Sequence, residues 1–325
     1  MSPPLESLAT LLAAVRTQSA PPLSTHIPSL NLLKPANLIE VQGPPASGKS
    51  HFLYYLVINC LLPIALQGWD SIAVILDTEL SFDLSRFQAL LISRIKRFLP
   101  RADDHAVQDL VQDALDRLHI FKPDSSSQLA ATIYHLPRYV ADRFPDRRLG
   151  LVAIDSISAF YWPDRYTVQQ LQATHEGHNQ FHRHPLNHVF VALRSLHLHW
   201  SPVIVLTNWG LVPDPELTKR NPSVQMFKQH LYPFPGPFAS THSTHDNSGL
   251  ALGNSFQITH HITLSFAPLP RFPRGIDLAE AKSEEEKHRI PLLLKGEITG
   301  IVRYPGNTDN TTFTLRIHND DMTAL

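Results

Sequence analysis

The sequence has one cysteine, Cys60, in 325 residues. A lone thiol forms no internal bridge, which argues against a disulfide-stapled secreted scaffold and for a reducing compartment. Charge is sparse as well: charged residues make up 18%, with 28 basic side chains against 29 acidic ones. That balance removes the basic footprint of a stand-alone nucleic-acid binder, so any contact with nucleic acid has to be local or shared. With 43% hydrophobic residues the chain is too apolar for a disordered tail and can bury a sizeable core. The start, MSPPLESLATLLAAV, has prolines and Glu6 where a signal peptide carries positive charge, so a short helix over Leu8–Val15 is expected instead. No Asp, Glu, Lys or Arg occurs between His51 and Trp69, but Asn59, Pro63 and Gln67 interrupt that stretch. It reads as a buried core helix and not as a membrane span.

Glycine is scarce (13) and proline abundant (27), so the breaks are marked by proline. Ala20–Pro28 sets off the first 35 residues, as a helix and linker, from a core over residues 36–325. Residues 210–249 are rich in Pro, Ser, Thr and His and read as a long loop. Residues 268–290 contain PLPRFPRG and the charged run AEAKSEEEKHR, which reads as a solvated insertion with one or two helical turns.

Between these breaks the pattern alternates. Leu38–Gln42, Ile72–Asp77, Leu118–Phe121, Leu149–Asp155 and Val203–Thr207 are short apolar runs of buried-strand type. Helical spacing occurs over His51–Leu61, Ser85–Leu99, Asp103–Arg117, Gln128–Arg143 and Asn187–Trp200. Apolar strands alternating with helices predict an α/β fold with a mainly parallel sheet covered on both faces. Ser255–Phe266, Leu292–Tyr304 and Thr311–His318 read as strands without intervening helices, which predicts an antiparallel extension of that sheet.

Gly43-Pro44-Pro45-Ala46-Ser47-Gly48-Lys49-Ser50 matches G-x-x-x-x-G-K-[ST] between a predicted strand and a predicted helix, the context of a phosphate-binding P-loop. The loop must wrap a phosphate with backbone N–H groups, and glycine lets the chain approach closely and take positive φ. Lys49 would neutralise β- and γ-phosphates, Ser50 would ligate Mg²⁺, and the helix start adds its positive end. Pro44 and Pro45 supply no N–H. Asp155 ends an apolar strand, where a P-loop protein places the carboxylate associated with Mg²⁺. Glu79, just past the strand ending at Asp77, could orient and deprotonate a water attacking the γ-phosphate.

These motifs, in the order GPPASGKSHFLYYL, ILDTE, VAIDSISAFYWPDR and VIVLTN, resemble the ATPase core of the RecA-like recombinases, and among them the eukaryotic recombinase paralogues. The resemblance runs well over Ala36–Asn208 and by strand pattern alone over Leu250–His318. It implies a RecA-like P-loop fold, ATP and Mg²⁺ as ligands, and a nuclear role in homologous recombination. It further implies phosphate contacts at Gly43–Ser50, Mg²⁺ at Ser50 and Asp155, and Glu79 as catalytic base. The implied partners are other recombinase paralogues in a hetero-oligomer, the recombinase itself, and single-stranded DNA reached through that complex. Trp209 stands where the family carries a glutamine that senses the γ-phosphate, so hydrolysis is expected to respond little to DNA. A non-hydrolysing, nucleotide-stabilised scaffold is the rival reading. A small-molecule kinase fits less well, because neither an acceptor pocket nor a lid is legible.

His175, His178, His182, His184 and His188 crowd one segment. Glu176 is the one carboxylate nearby and the chain has 19 histidines, so an exposed polar segment is read there and not a zinc site. Phe160, Tyr161 and Trp162 could stack on single-stranded bases, but packing against the sheet or a partner is the expectation.

Overall fold

The computed structural model describes residues 15, 23–30, 33–173, 184–220, 224–231, 257–266, 269–306 and 310–325. The strands are β1 (Leu38–Gly43), β2 (Ile72–Asp77), β3 (Leu118–Phe121), β4 (Leu149–Asp155), β5 (Val203–Trp209), β6 (Val212–Pro213), β7 (Phe227–Lys228), β8 (His260–Phe266), β9 (Glu297–Arg303), β10 (Thr311–Ile317) and β11 (Met322–Ala324). The helices are α1 (Lys49–Leu61), α2 (Leu84–Phe98), α3 (Asp104–Asp116), α4 (Ser126–Arg143), α5 (Tyr161–Ala173), α6 (Leu186–Trp200), α7 (Pro215–Arg220), α8 (Leu278–Glu284) and α9 (Ile290–Leu294), the last two joined by a π-helical turn.

One nine-stranded sheet runs in the order β11-β10-β9-β8-β1-β5-β4-β2-β3. From β3 to β8 the strands are parallel. β9, β10 and β11 extend it antiparallel, as the C-terminal pattern predicts, although β8 itself belongs to the parallel part. β1, β2 and β4 are buried at every position, which is why β2 and β4 are apolar runs up to their closing Asp77 and Asp155, whereas β1 buries the polar Glu40 and Gln42 as well. Ile39, Val41, Ala73 and Ile75 face a core shared with α1, α2 and α3. Leu38, Val74, Leu76 and Ile154 face a second core filled by α4 and α6.

The uncharged run after His51 is α1, a helix with every residue from Phe52 to Leu61 buried beneath the sheet. Burial also pushes the Cys60 thiol pKa up, leaving it an inert packing group. Among the described residues no helix is long and apolar enough to cross a membrane. Ile27, Leu30 and Leu33 are buried in the α1 core, and Thr25 O accepts from Asn59 Nδ2 at 3.2 Å. Helices α2, α3 and α4 start where Asp83, Asp103 and Ser125 accept a backbone N–H of the first turn.

Three expectations change. Residues 269–296 carry seventeen continuous helical residues, Leu278–Leu294, in place of one or two turns. Leu292–Leu294 belong to that helix and not to a strand, which begins at Glu297; three consecutive leucines satisfy either period, and Gly296 makes the break. Of the supposed loop 210–249, the described part folds as a β6–β7 ribbon with α7 between its strands. The rest of that loop, the Leu8–Val15 helix apart from Val15, and His175, His178 and His182 lie outside the described residues.

Candidate nucleotide site at the carboxyl edge of the sheet

The carboxyl ends of β1, β2, β4 and β5 meet because the register aligns Gly43 with Trp209, Asp77 with Asp155, and Ile154 with Leu206. That edge is where a parallel α/β sheet presents ligand-binding loops. The loop Gly43–Ser50 leaves β1 and enters α1. Gly43 has no room for a side chain: a Cβ there would lie 2.6 Å from Leu264 O. Gly48 has φ +87°, and a Cβ on it would meet Ile298 Cδ1 at 2.6 Å. The first intrahelical bond runs from Phe52 N–H to Gly48 O, so the amides just before it sit at the open helix start.

Lys49 Nζ donates to two carbonyls of its own loop, Gly43 O at 3.1 Å and Pro44 O at 2.9 Å. Burial lowers its pKa, and the charges of Asp155 and Glu79 oppose that shift. Ser50 Oγ donates to Asp155 Oδ2 at 2.7 Å, and Thr207 Oγ1 donates to the other carboxylate oxygen. Asp155 is buried, which raises its pKa, while the two hydroxyl bonds favour the carboxylate. Ser47 Oγ is buried and has no hydrogen-bond partner among the described residues. A buried, unsatisfied hydroxyl beside a desolvated ammonium fits an anion in the loop. A hydroxyl and a carboxylate on one side suit a hard cation that also takes phosphate oxygens, because Mg²⁺ needs few protein ligands.

Glu79 arrives by a different route. Asp77 accepts from Ser81 N–H at 2.9 Å and Phe82 N–H at 3.2 Å, and Thr78 and Glu79 N–H groups donate to Asp155 O. This hooks the turn after β2 onto the end of β4 and brings the Glu79 carboxylate over the site. There Glu79 Oε1 accepts from Trp209 Nε1 at 2.6 Å and from Ser156 Oγ. Sequence reasoning did not reach this contact: Trp209 has no amide to stand in for the glutamine of the recombinases that the sequence resembles, yet its indole N–H reaches the very carboxylate expected to handle water. Thr207 and Ser156 were missed too. Their legible signal was position alone, at strand ends beside the P-loop.

A buried polar network lies next to this edge. Glu40 on β1 is fully buried, and its Oε1 accepts from Asn208 Nδ2 and Gln229 Nε2, both at 2.8 Å. Burial pushes the Glu40 pKa up to about 7. His261 Nε2 lies 3.4 Å from Glu40 Oε2, and Arg303 donates to His261 Nδ1 at 2.9 Å. Burial and the Arg303 charge hold the His261 pKa well below its usual value, so that ring is neutral. Asn208 precedes Trp209, and Gln229 follows β7, so the network ties the site edge to the base of the 210–249 segment.

Of the aromatic run, Phe160 and Tyr161 pack against the second core, whereas Trp162 is exposed with the Arg165 guanidinium 5.8 Å from its ring centroid. Among the described residues no three His, Cys, Asp or Glu side chains gather as a metal site.

No family model matches the chain. Over 141 residues, 43% of this chain and 47% of the relative, it is 29% identical to the DNA repair protein XRCC2 of Mus musculus. Over 213 residues, 62% of this chain and 58% of the relative, it is 26% identical to the DNA repair protein rhp57 of Schizosaccharomyces pombe. The DNA repair and recombination protein RadA of Methanoculleus marisnigri is 26% identical over 125 residues, 38% of this chain and 36% of the relative. The chain thus spans about half the length of the curated relatives it matches first.

Proposed function

We propose that this chain, which belongs to the RecA-like recombinase family, is an ATP-binding recombinase paralogue acting in homologous recombination and DNA double-strand break repair. The observation that carries the reading is the convergence of Lys49, Ser50, Asp155 and Glu79, from three separate strand ends, on one loop of P-loop geometry. In this reading the loop amides, Ser47 and Lys49 hold the phosphates, and Ser50 with Asp155 holds Mg²⁺. The metal would neutralise phosphate charge during transfer to water. Thr207 fixes the Asp155 carboxylate, and Ser156 fixes Glu79, which accepts a proton from water. Its partners are other recombinase paralogues and the recombinase, with single-stranded DNA reached through that complex in the nucleus.

The test is single-turnover ATP hydrolysis by the purified chain, with and without single-stranded DNA. Slow hydrolysis, lost in Glu79→Gln and little changed by DNA, is the expected outcome; strong stimulation by single-stranded DNA would refute the expectation for Trp209. The rival scaffold, which binds nucleotide without hydrolysing it, draws support from one contact. Trp209 and Ser156 both occupy Glu79 Oε1, leaving that oxygen less available to a water. ATP binding without any turnover would favour it.

A further inference from the structure

Beside the P-loop lies a cavity of about 810 Å³ with two unlike ends. One end is polar, built from the loop, Glu79 and Asp155. The other is lined by Phe266, Leu269, Leu292, Leu293, Ile298 and Ile317. Leu269, Leu292 and Leu293 come from the connection between β8 and β9, the segment that reads in the sequence as a solvated charged insertion, and Phe266, Ile298 and Ile317 from β8, β9 and β10 beside it. Its helix, Leu278–Leu294, buries no residue in either core of the domain, so it is not there to complete a core.

The insertion is nevertheless fixed in place. Arg289 Nη1 donates to Pro270 O at 2.7 Å, and its guanidinium stands 4.5 Å from the Phe272 ring centroid, closing the helix onto the chain that leads into it. At the far end Gly296 leaves the helix at φ +61°, and a Cβ there would lie 2.0 Å from Ile317 O. Ile317 N–H donates to Gly296 O at 2.9 Å. The helix end that carries Leu292 and Leu293 is thereby pinned to β10. The apolar wall also abuts the phosphate loop, since Ile298 and Ile317 are the side chains nearest to Gly48.

We infer that this wall, supplied in cis by the β8–β9 insertion and the strands β8, β9 and β10 beside it, takes the nucleobase by its face and does not read its edge, so that the site binds nucleoside triphosphates with little regard to the purine. This rests on the nucleotide-binding reading of the P-loop. The chemistry of the wall carries the inference. Phosphates occupy the polar end, and a ring leaving them meets methyl and methylene groups. Glu297, the one charged side chain lining that end, is engaged by Arg316 Nη2 at 2.6 Å. Discrimination between bases needs a buried donor or acceptor that the wrong base leaves unpaired, and dispersion against leucine and isoleucine supplies none.

The experiment is calorimetric titration of the full chain, in Mg²⁺, with ATP, GTP and inorganic tripolyphosphate. ATP and GTP should bind within about threefold of each other, and both at least about tenfold tighter than tripolyphosphate, from the ring area buried. Leu293→Asn, a change on a helix that fills no core, should bring ATP affinity down towards that of tripolyphosphate. ATP binding no tighter than tripolyphosphate overturns the wall while leaving the P-loop reading intact. A preference of about a hundredfold for one purine overturns edge-blind recognition. If none of the three ligands binds, the nucleotide reading falls and the wall falls with it.

Discussion

Glu40→Gln probes the buried network with a magnitude that the structure fixes. A carboxyl whose folded pKa is raised from 4.5 to about 7 holds its proton more tightly in the folded chain than in the unfolded one. Its favourable contribution is therefore complete below pH 4.5 and is lost as pH rises through about 7. The shift converts to about 3 kcal/mol of stability lost between pH 4.5 and 8. Glu40 has no exposure to solvent, so screening does not reduce this figure. Glutamine cannot titrate, and whatever constant cost it brings by meeting Asn208, Gln229 and His261 differently cancels when stabilities are compared across pH. Arg303 and neutral His261 are common to both proteins. The assay is urea unfolding of wild type and Glu40→Gln at several pH values and constant ionic strength. The stability difference should move in favour of the variant by about 3 kcal/mol between pH 4.5 and 8. A difference that stays flat with pH would refute the reasoning, because it would mean that Glu40 ionises in the folded chain as it does in water.

The other predictions concern the site. Lys49→Ala removes a charge-assisted phosphate contact worth roughly 1.5–3 kcal/mol and should weaken ATP binding about tenfold to a hundredfold in calorimetry; unchanged affinity would mean that the loop does not hold phosphate. Gly48→Ala puts a side chain at φ +87° and against Ile298, and should lower stability by about 1–3 kcal/mol in thermal unfolding. Trp209→Phe keeps the ring but removes the donor to Glu79, costing about 1 kcal/mol or less at this partly exposed position. ATP should change the tryptophan fluorescence of wild type, and that response should shrink in Trp209→Phe; equal responses would separate Trp209 from the nucleotide. In the Glu40→Gln background, where the opposing Glu40 titration is absent, urea unfolding should show stability falling on acidification below pH 6.5 as His260 and His261 are forced to take up protons. Burial lowers both pKa values, that of His260 to about 4, so their contribution is present above the unfolded value and lost below it.

Local chemistry was enough to read much of this chain. The strands Ile72–Asp77 and Leu149–Asp155 are visible because full burial demands apolar runs, and the P-loop because positive φ and close approach demand glycine at Gly48 and Gly43. Cys60 and the uncharged stretch after His51 could be read as core for the same reason: composition reports burial. Partners across the sheet are a different matter. Asn208 meets Glu40, 168 residues away in sequence, and Trp209 meets Glu79 at a separation of 130, because strand order puts β5 between β1 and β4. Periodicity says which residues are inside and is silent on which strands lie side by side. The charged insertion shows the same limit. Its composition announces a solvated segment, and it is solvated on most sides, but the one face that Gly296 and Arg289 hold against the P-loop was set by the return of the chain into β9 and its pairing with β10. A leucine pair that any helix could carry becomes a cavity wall only because the tertiary fold delivers it there.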